Sequence, residues 1–276
     1  MTARTAAQEW TTGPELVLNA AEGALQILIT ENGCQRCFEE WHEPNRATEL
    51  LAPALEQMCA ALEMKPASFR RIACVSGPGA FTGIRLVLAT AAALRRAGHA
   101  QLAGLDYLQA LATSAVMRRG LLYPAPVMVI THARRNLVHY RPFCSYGPQI
   151  PAQPLEPVRL IPPAEALRLM GEQPCHVCGS GLARNGRLFE PEATGRGPAG
   201  APDAVVMPEL VDPDAGALAL LARHGDYFPR DIEPAYVRSC DATENLPELA
   251  ARQGMDGESA AAELEELLKR KPESRE

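Results

Sequence analysis

The chain lacks most of the features that mark a membrane protein, a secreted protein or a familiar catalyst. No run reaches the roughly 18 uninterrupted apolar residues of a membrane helix; the nearest, Leu86 to Leu94, stops at Arg95 and Arg96. Met1 to Gly13 has no basic-then-apolar order of a signal peptide, so a cytoplasmic location is expected. There is little excess charge: 27 Lys and Arg against 33 Asp and Glu leave a net charge of -6. That balance gives the chain as a whole no electrostatic ground to hold nucleic acid or an anionic membrane. No Gly-x-Ser-x-Gly elbow is present, and no His-Glu-x-x-His. The six histidines are scattered, with no local metal spacing apart from Cys175-His176-Val177-Cys178.

What is present centres on Ile72 to Gly98: an apolar strand, the loop Ser76-Gly77-Pro78-Gly79-Ala80-Phe81-Thr82-Gly83, and a helix predicted from Ile84-Arg85 onward. Gly77, Gly79, Thr82, Gly83 and Arg85 are the candidate anion-binding residues, because free amides at a strand-to-helix turn attract phosphate. The loop has no Gly-Lys-[Ser/Thr] ending, and its glycines lack dinucleotide-fingerprint spacing. The spacing therefore favours a tight turn with Phe81 packed inward. The helix that follows has almost no polar face, so something must cover it on more than one side. Leu86, Ala89, Thr90, Ala93 and Leu94 form its second face and are the candidate partner interface, since small residues let backbones approach.

Of the eight cysteines, Cys59 and Cys74 read as buried thiols, and Cys144 and Cys240 as isolated. Cys34, Cys37, Cys175 and Cys178 form two C-x-x-C pairs that could supply a tetrahedral zinc. The pairs lie in opposite halves of the chain, and strand alternation points Cys34 and Cys37 to opposite faces. Reduced thiols and no resident metal are expected, with a zinc-stabilised module or a redox pair as the alternatives.

Periodicity predicts an α/β protein of two lobes. A loose leader covers 1–13, the N-terminal lobe 14–119, the C-terminal lobe 120–240, and a polar, partly helical tail 241–276. The first lobe opens with three antiparallel strands, the second and third joined at Asn32-Gly33, a type I′ signal. A helix over Thr48 to Leu62, the strand at Ile72, the long helix, a strand at Gln101 and a helix capped by Asp106 follow. The second half repeats the plan more faintly. It has a hairpin turning at His132 to Asn136, a short helix at Glu165, a strand into Gly179-Ser180-Gly181, an exposed loop over 184–200, and a strand and helix over 204–224. The basic hairpin tip His132-Ala133-Arg134-Arg135 suits RNA or a partner's carboxylates, or is simply a solvated turn.

Val75 to Arg85 closely resembles the G-P-G-S-F-T-G-[LV]-R signature of the TsaB (YeaZ) family, with Ala80 in place of the serine. Leu102 to Ala112 looks like that family's "VGVSSLEALA" segment, His132 to Tyr140 like its "DARRGEVY" hairpin, Cys178 to Gly181 like its "GxG" turn, and Pro234 to Arg238 like its "PxYLR" ending. The departures are polar groups lost: Asn19-Ala20-Ala21 for the opening "DTS", Asn45-Arg46 near "HS", and His132 for an aspartate. An amide at Asn19 is a weak metal ligand without charge, which argues against ATP hydrolysis. The resemblance implies an actin-like ATPase (ASKHA, ribonuclease H-like) fold. It also implies a non-catalytic subunit, without cofactor, in the machinery that makes threonylcarbamoyladenosine in tRNA. Such a subunit pairs with TsaD through N-terminal-lobe helices, with TsaE joining, and forms a homodimer where TsaD is absent; tRNA is met only through the complex. The alternative is an enzyme in its own right, a nucleotide-dependent carbamoyl transferase or a peptidase.

Overall fold

The computed structural model describes residues 13–43, 45–190, 197–237 and 256. The expected leader up to residue 12, Arg238, Cys240 and the helical stretch of the tail lie outside the described residues. Met1–Ala235 forms one compact unit, and Tyr236–Glu276 is a second.

Five strands build the first sheet: β1 (Pro14–Asn19), β2 (Leu25–Glu31), β3 (Cys34–Trp41), β4 (Arg71–Gly77) and β5 (Gln101–Asp106), in the order β3-β2-β1-β4-β5. β1 is central, antiparallel to β2 and parallel to β4. Both its faces are covered, so Leu16, Val17 and Leu18 are all buried and the strand reads as a continuous apolar run rather than an alternation. The β2–β3 turn is the expected one, with Asn32 at φ 51° and Gly33 at φ 77°.

The second sheet holds β6 (Ala125–Arg134), β7 (Leu137–Ser145), β8 (Gln153–Pro154), β9 (Arg159–Ile161), β10 (His176–Cys178) and β11 (Val205–Met207). Its order is β11-β10-β6-β7-β8, with β9 also on β7. β6 takes the place of β1: antiparallel to β7 on one side and parallel to β10 on the other. The same strand plan thus occurs twice, which is the actin-like arrangement.

The helices are α1 (Ala47–Ala61), α2 (Phe81–Gly98), α3 (Tyr107–Arg119), α4 (Pro163–Met170), α5 (Ser180–Arg184), α6 (Gly186–Phe189) and α7 (Ala215–Arg223). The helix covered on all sides is α3, not α2. Of Tyr107 to Val116, every residue but Gln109 is buried. Elements of both sheets and α7 pack on it, and its Asp106 cap accepts from Gln109 N at 2.9 Å. One apolar core runs through both sheets, from Leu16 and Ile72 to Val129, Phe143 and Leu218. A second cluster, including Ile130, Tyr140 and Met170, lies under α4.

Three local expectations are corrected. α2 begins at Phe81, so Thr82 and Gly83 belong to its first turn. The β6–β7 hairpin stays paired to Arg134 and Leu137, leaving a turn of only Arg135 and Asn136, the latter at φ 62°. The expected loop after Arg184 begins with the short helix α6.

Candidate functional site

The glycine loop lies against the β1–β2 turn. Ala80 N donates to Ala21 O at 2.5 Å. A Cβ on Gly79 would overlap the Ala21 carbonyl, and one on Gly83 the Ala20 carbonyl. These two glycines therefore serve a backbone-on-backbone contact. Gly77 has φ +136° and no room for a Cβ beside the Ala235 carbonyl; Ala235 N in turn donates to Ser76 O at 2.8 Å. Gly77, Gly79 and Gly83 are thus each closed by a carbonyl from another part of the chain.

Phe81 is not packed inward. It is 37 % exposed, and the Arg85 guanidinium stacks over its ring at 3.6 Å. The backbone of Ala20 and Ala21 occupies the inner side of the loop, and the first helical residue turns outward.

The opening turn itself is self-contained. Asn19 is fully buried; its Oδ1 accepts from Ala21 N at 2.9 Å and its Nδ2 donates to Gln26 Oε1 at 2.8 Å. Where the expectation was a weak metal ligand, the amide holds an Asx-type turn. Gln26 Nε2 continues the network to Glu40 at 2.5 Å and, across to the second half of the chain, to Pro213 O at 2.8 Å. Nearby, Tyr107 OH is shared between Val211 O at 2.9 Å and Asp212 at 3.2 Å.

Glu22, in the same turn, faces Ser180 and Asp212. Burial pushes its carboxyl up to about 7; the Ser180 hydroxyl opposes the shift and the Asp212 charge adds to it. Burial likewise raises Asp212. From the sequence, Asp212 reads only as a residue near a helix start, and Glu22, Gln26 and Tyr107 do not read as site residues. The one available signal was the turn itself, Asn19 to Gly23, whose first three residues already depart from the expected pattern.

The residues of α2 sort into an inner face and the outer row expected for a partner. Ile84, Val87, Leu88 and Ala91 are buried against the sheet. Ala89 and Ala93 are exposed, flanked by half-buried Leu86, Thr90 and Leu94. Thr90 Oγ1 donates to Leu86 O at 2.9 Å, so the hydroxyl is bonded within the helix. Arg95 and Arg96, at the C-terminal end where the helix dipole favours cations, both pair with Asp231.

The two cysteine pairs are not brought together. Cys34 and Cys37 sit on the edge strand β3, whereas Cys175 and Cys178 are buried at β10. Burial raises Cys175 to about 11 and Cys178 to about 12, which keeps both as neutral thiols. Among the described residues, no group of three or more His, Cys, Asp or Glu side chains could hold a metal ion. Nor is any helix among them long and apolar enough to cross a membrane.

Residues 45–150 match the family model "TsaD: tRNA N6-adenosine threonylcarbamoyltransferase". No curated protein matches the chain. Two solved structures share the fold. One is described as an uncharacterized protein with similarity to peptidase YEAZ from Pseudomonas aeruginosa, at 18% identity and TM-score 0.66. The other is YeaZ from Pseudomonas aeruginosa, at 19% identity and TM-score 0.64. Each alignment covers 82% of this chain and 100% of the other. The chain therefore has the YeaZ fold, a form of the actin-like ATPase fold.

Proposed function

We propose that the chain is a TsaB-type subunit of the machinery that makes threonylcarbamoyladenosine in tRNA, non-catalytic and without a cofactor of its own. It pairs with TsaD through the outward face of α2, TsaE joins the assembly, and a second copy of the chain takes the same face where TsaD is absent. The fold shared with YeaZ over its whole length, the glycine signature at Val75 to Arg85 and the family match over 45–150 support the assignment.

The observation that carries the pairing is the α2 face. Exposed Ala89 and Ala93 between half-buried Leu86 and Leu94 make a shallow apolar track one helix wide. A partner helix can approach closely at the small residues Ala89 and Ala93, with the exposed Arg85 and Arg96 side chains standing about one turn to either side. The non-catalytic role is supported by the loop and turn. The Ala80 amide and the Asn19 amide are both bonded within the chain, and Gly79 and Gly83 lie on carbonyls that repel a phosphate.

The test is reconstitution. Added to TsaD and TsaE from the same source, with threonylcarbamoyl-adenylate and unmodified tRNA, the chain is expected to restore tRNA modification. It is expected to show no modification or ATP hydrolysis alone. Turnover by the isolated chain, or a reconstituted system indifferent to it, would sink the assignment.

A further inference from the structure

We propose that the tip of the β6–β7 hairpin, together with α5 and α6, is a direct RNA contact surface on which arginines meet the phosphate backbone. That the polyanion is RNA rests on the tRNA-modification assignment above; the surface itself does not. Two stretches of chain build it. Residues 130–141 carry Arg134 and Arg135, with Arg141 already paired to Asp106, and residues 174–189 carry Arg184 and Arg187; neither stretch contains an aspartate or glutamate.

The two stretches are locked side by side. A Cβ on Gly179 or Gly181 would meet the Ile130 carbonyl, so α5 lies directly on β6. His132 N donates to Ser180 Oγ at 2.9 Å, which places the start of α5 two residues from Arg134. Arg134, Arg135 and Asn136 are exposed at the tip, and Arg184 and Arg187 are exposed on the helices. Glu22 is the acidic group that Arg184 meets from the facing turn.

The chemistry favours phosphate over an acidic peptide. A guanidinium fork matches phosphate oxygens in a bidentate way and is always charged. Peptide interfaces rely on large apolar or aromatic anchors. The exposed large apolar residues among those described, Leu122 and Tyr146 for example, all lie outside these two stretches. Arginine–phosphate pairing of this kind positions a nucleic acid without reading its sequence.

The experiment is fluorescence anisotropy of the full chain with a labelled, unmodified tRNA transcript between about 50 and 200 mM salt. Binding is expected to weaken linearly on a log–log plot. Replacing Arg134, Arg135, Arg184 and Arg187 by serine together should cost at least about tenfold at low salt, and should flatten the slope by roughly 0.7 to 0.9 for each phosphate that is no longer neutralised. If that variant is misfolded by circular dichroism, the pair Arg135→Ser and Arg187→Ser serves, with about half the flattening. No binding by the wild-type chain at 50 mM salt, an unchanged slope in the variant, or displacement of the RNA by polyglutamate at equal charge would overturn the proposal. Loss of RNA binding with TsaD pairing intact removes this surface alone. Loss of TsaD pairing with RNA binding intact removes the assignment and leaves the surface.

Discussion

Glu22 shows what burial does to one carboxyl in the β1–β2 turn. Its carboxyl titrates at about 7 against an ordinary value of 4.5, because burial disfavours the anion. Below pH 4.5 the group is protonated folded and unfolded, and contributes nothing to pH dependence. Between 4.5 and 7 the unfolded chain ionises while the folded chain holds its proton, so stability falls; above 7 the full cost is present. The difference of about 2.5 pH units corresponds to on the order of 3 kcal/mol. Urea unfolding should show Glu22→Gln gaining stability at pH 8 and nearly none at pH 4, with a flatter profile between. An unchanged profile would mean that the carboxyl is solvated. This residue was not legible in the sequence, because no spacing rule reveals that the turn after β1 faces Ser180. Asn19 was legible as a departure, but its role was not: the amide supports the turn instead of weakly serving a metal.

Among the elements, the glycine loop and α2 act as one piece. Gly83 is helical, and alanine there gains roughly 1 kcal/mol of helix propensity. The added methyl must nevertheless displace the Ala20 carbonyl, which is backbone and cannot swing aside. Gly83→Ala is therefore expected to destabilise by about 1–3 kcal/mol in urea titrations. A neutral or stabilising result would show that the loop has slack. Elements with a chemical marker were read well. Asn32-Gly33 announced its turn, Asp106 its cap, and Thr48 to Leu62 its periodicity, against an observed helix of Ala47–Ala61. The start of α2 was set too late for a physical reason: its cap is Ala80, with no side-chain bond, so the usual start signal is missing. Phe81 was misplaced for a related reason. Periodicity sees an apolar residue in a loop, not the carbonyls that already fill the loop's inner side.

Over the whole molecule, a duplicated sheet plan places its two first strands, β1 and β6, at matching central positions. In the sequence the second copy was faint because β8, β9, β10 and β11 span only two or three residues each. Strands that short carry no periodicity of their own and take their place from pairing with β6 and β7. The signature at Val75 to Arg85 was the strongest guide to the fold. The same backbone closes the loop onto the opening turn and leaves Ala89 and Ala93 exposed on the outer face of α2, the face proposed above for partner contact.

The most direct measurement is calorimetric titration of the purified chain with TsaD from the same source, repeated with Ala93→Glu. A saturable 1:1 complex is expected with the wild-type chain. The variant, whose exposed position should leave the melting temperature nearly unchanged, is expected to lose binding by at least about 100-fold, through one carboxylate desolvated at a helix contact. No heat of binding with the wild-type chain, or equal binding by a folded Ala93→Glu variant, would contradict the placement of function on α2.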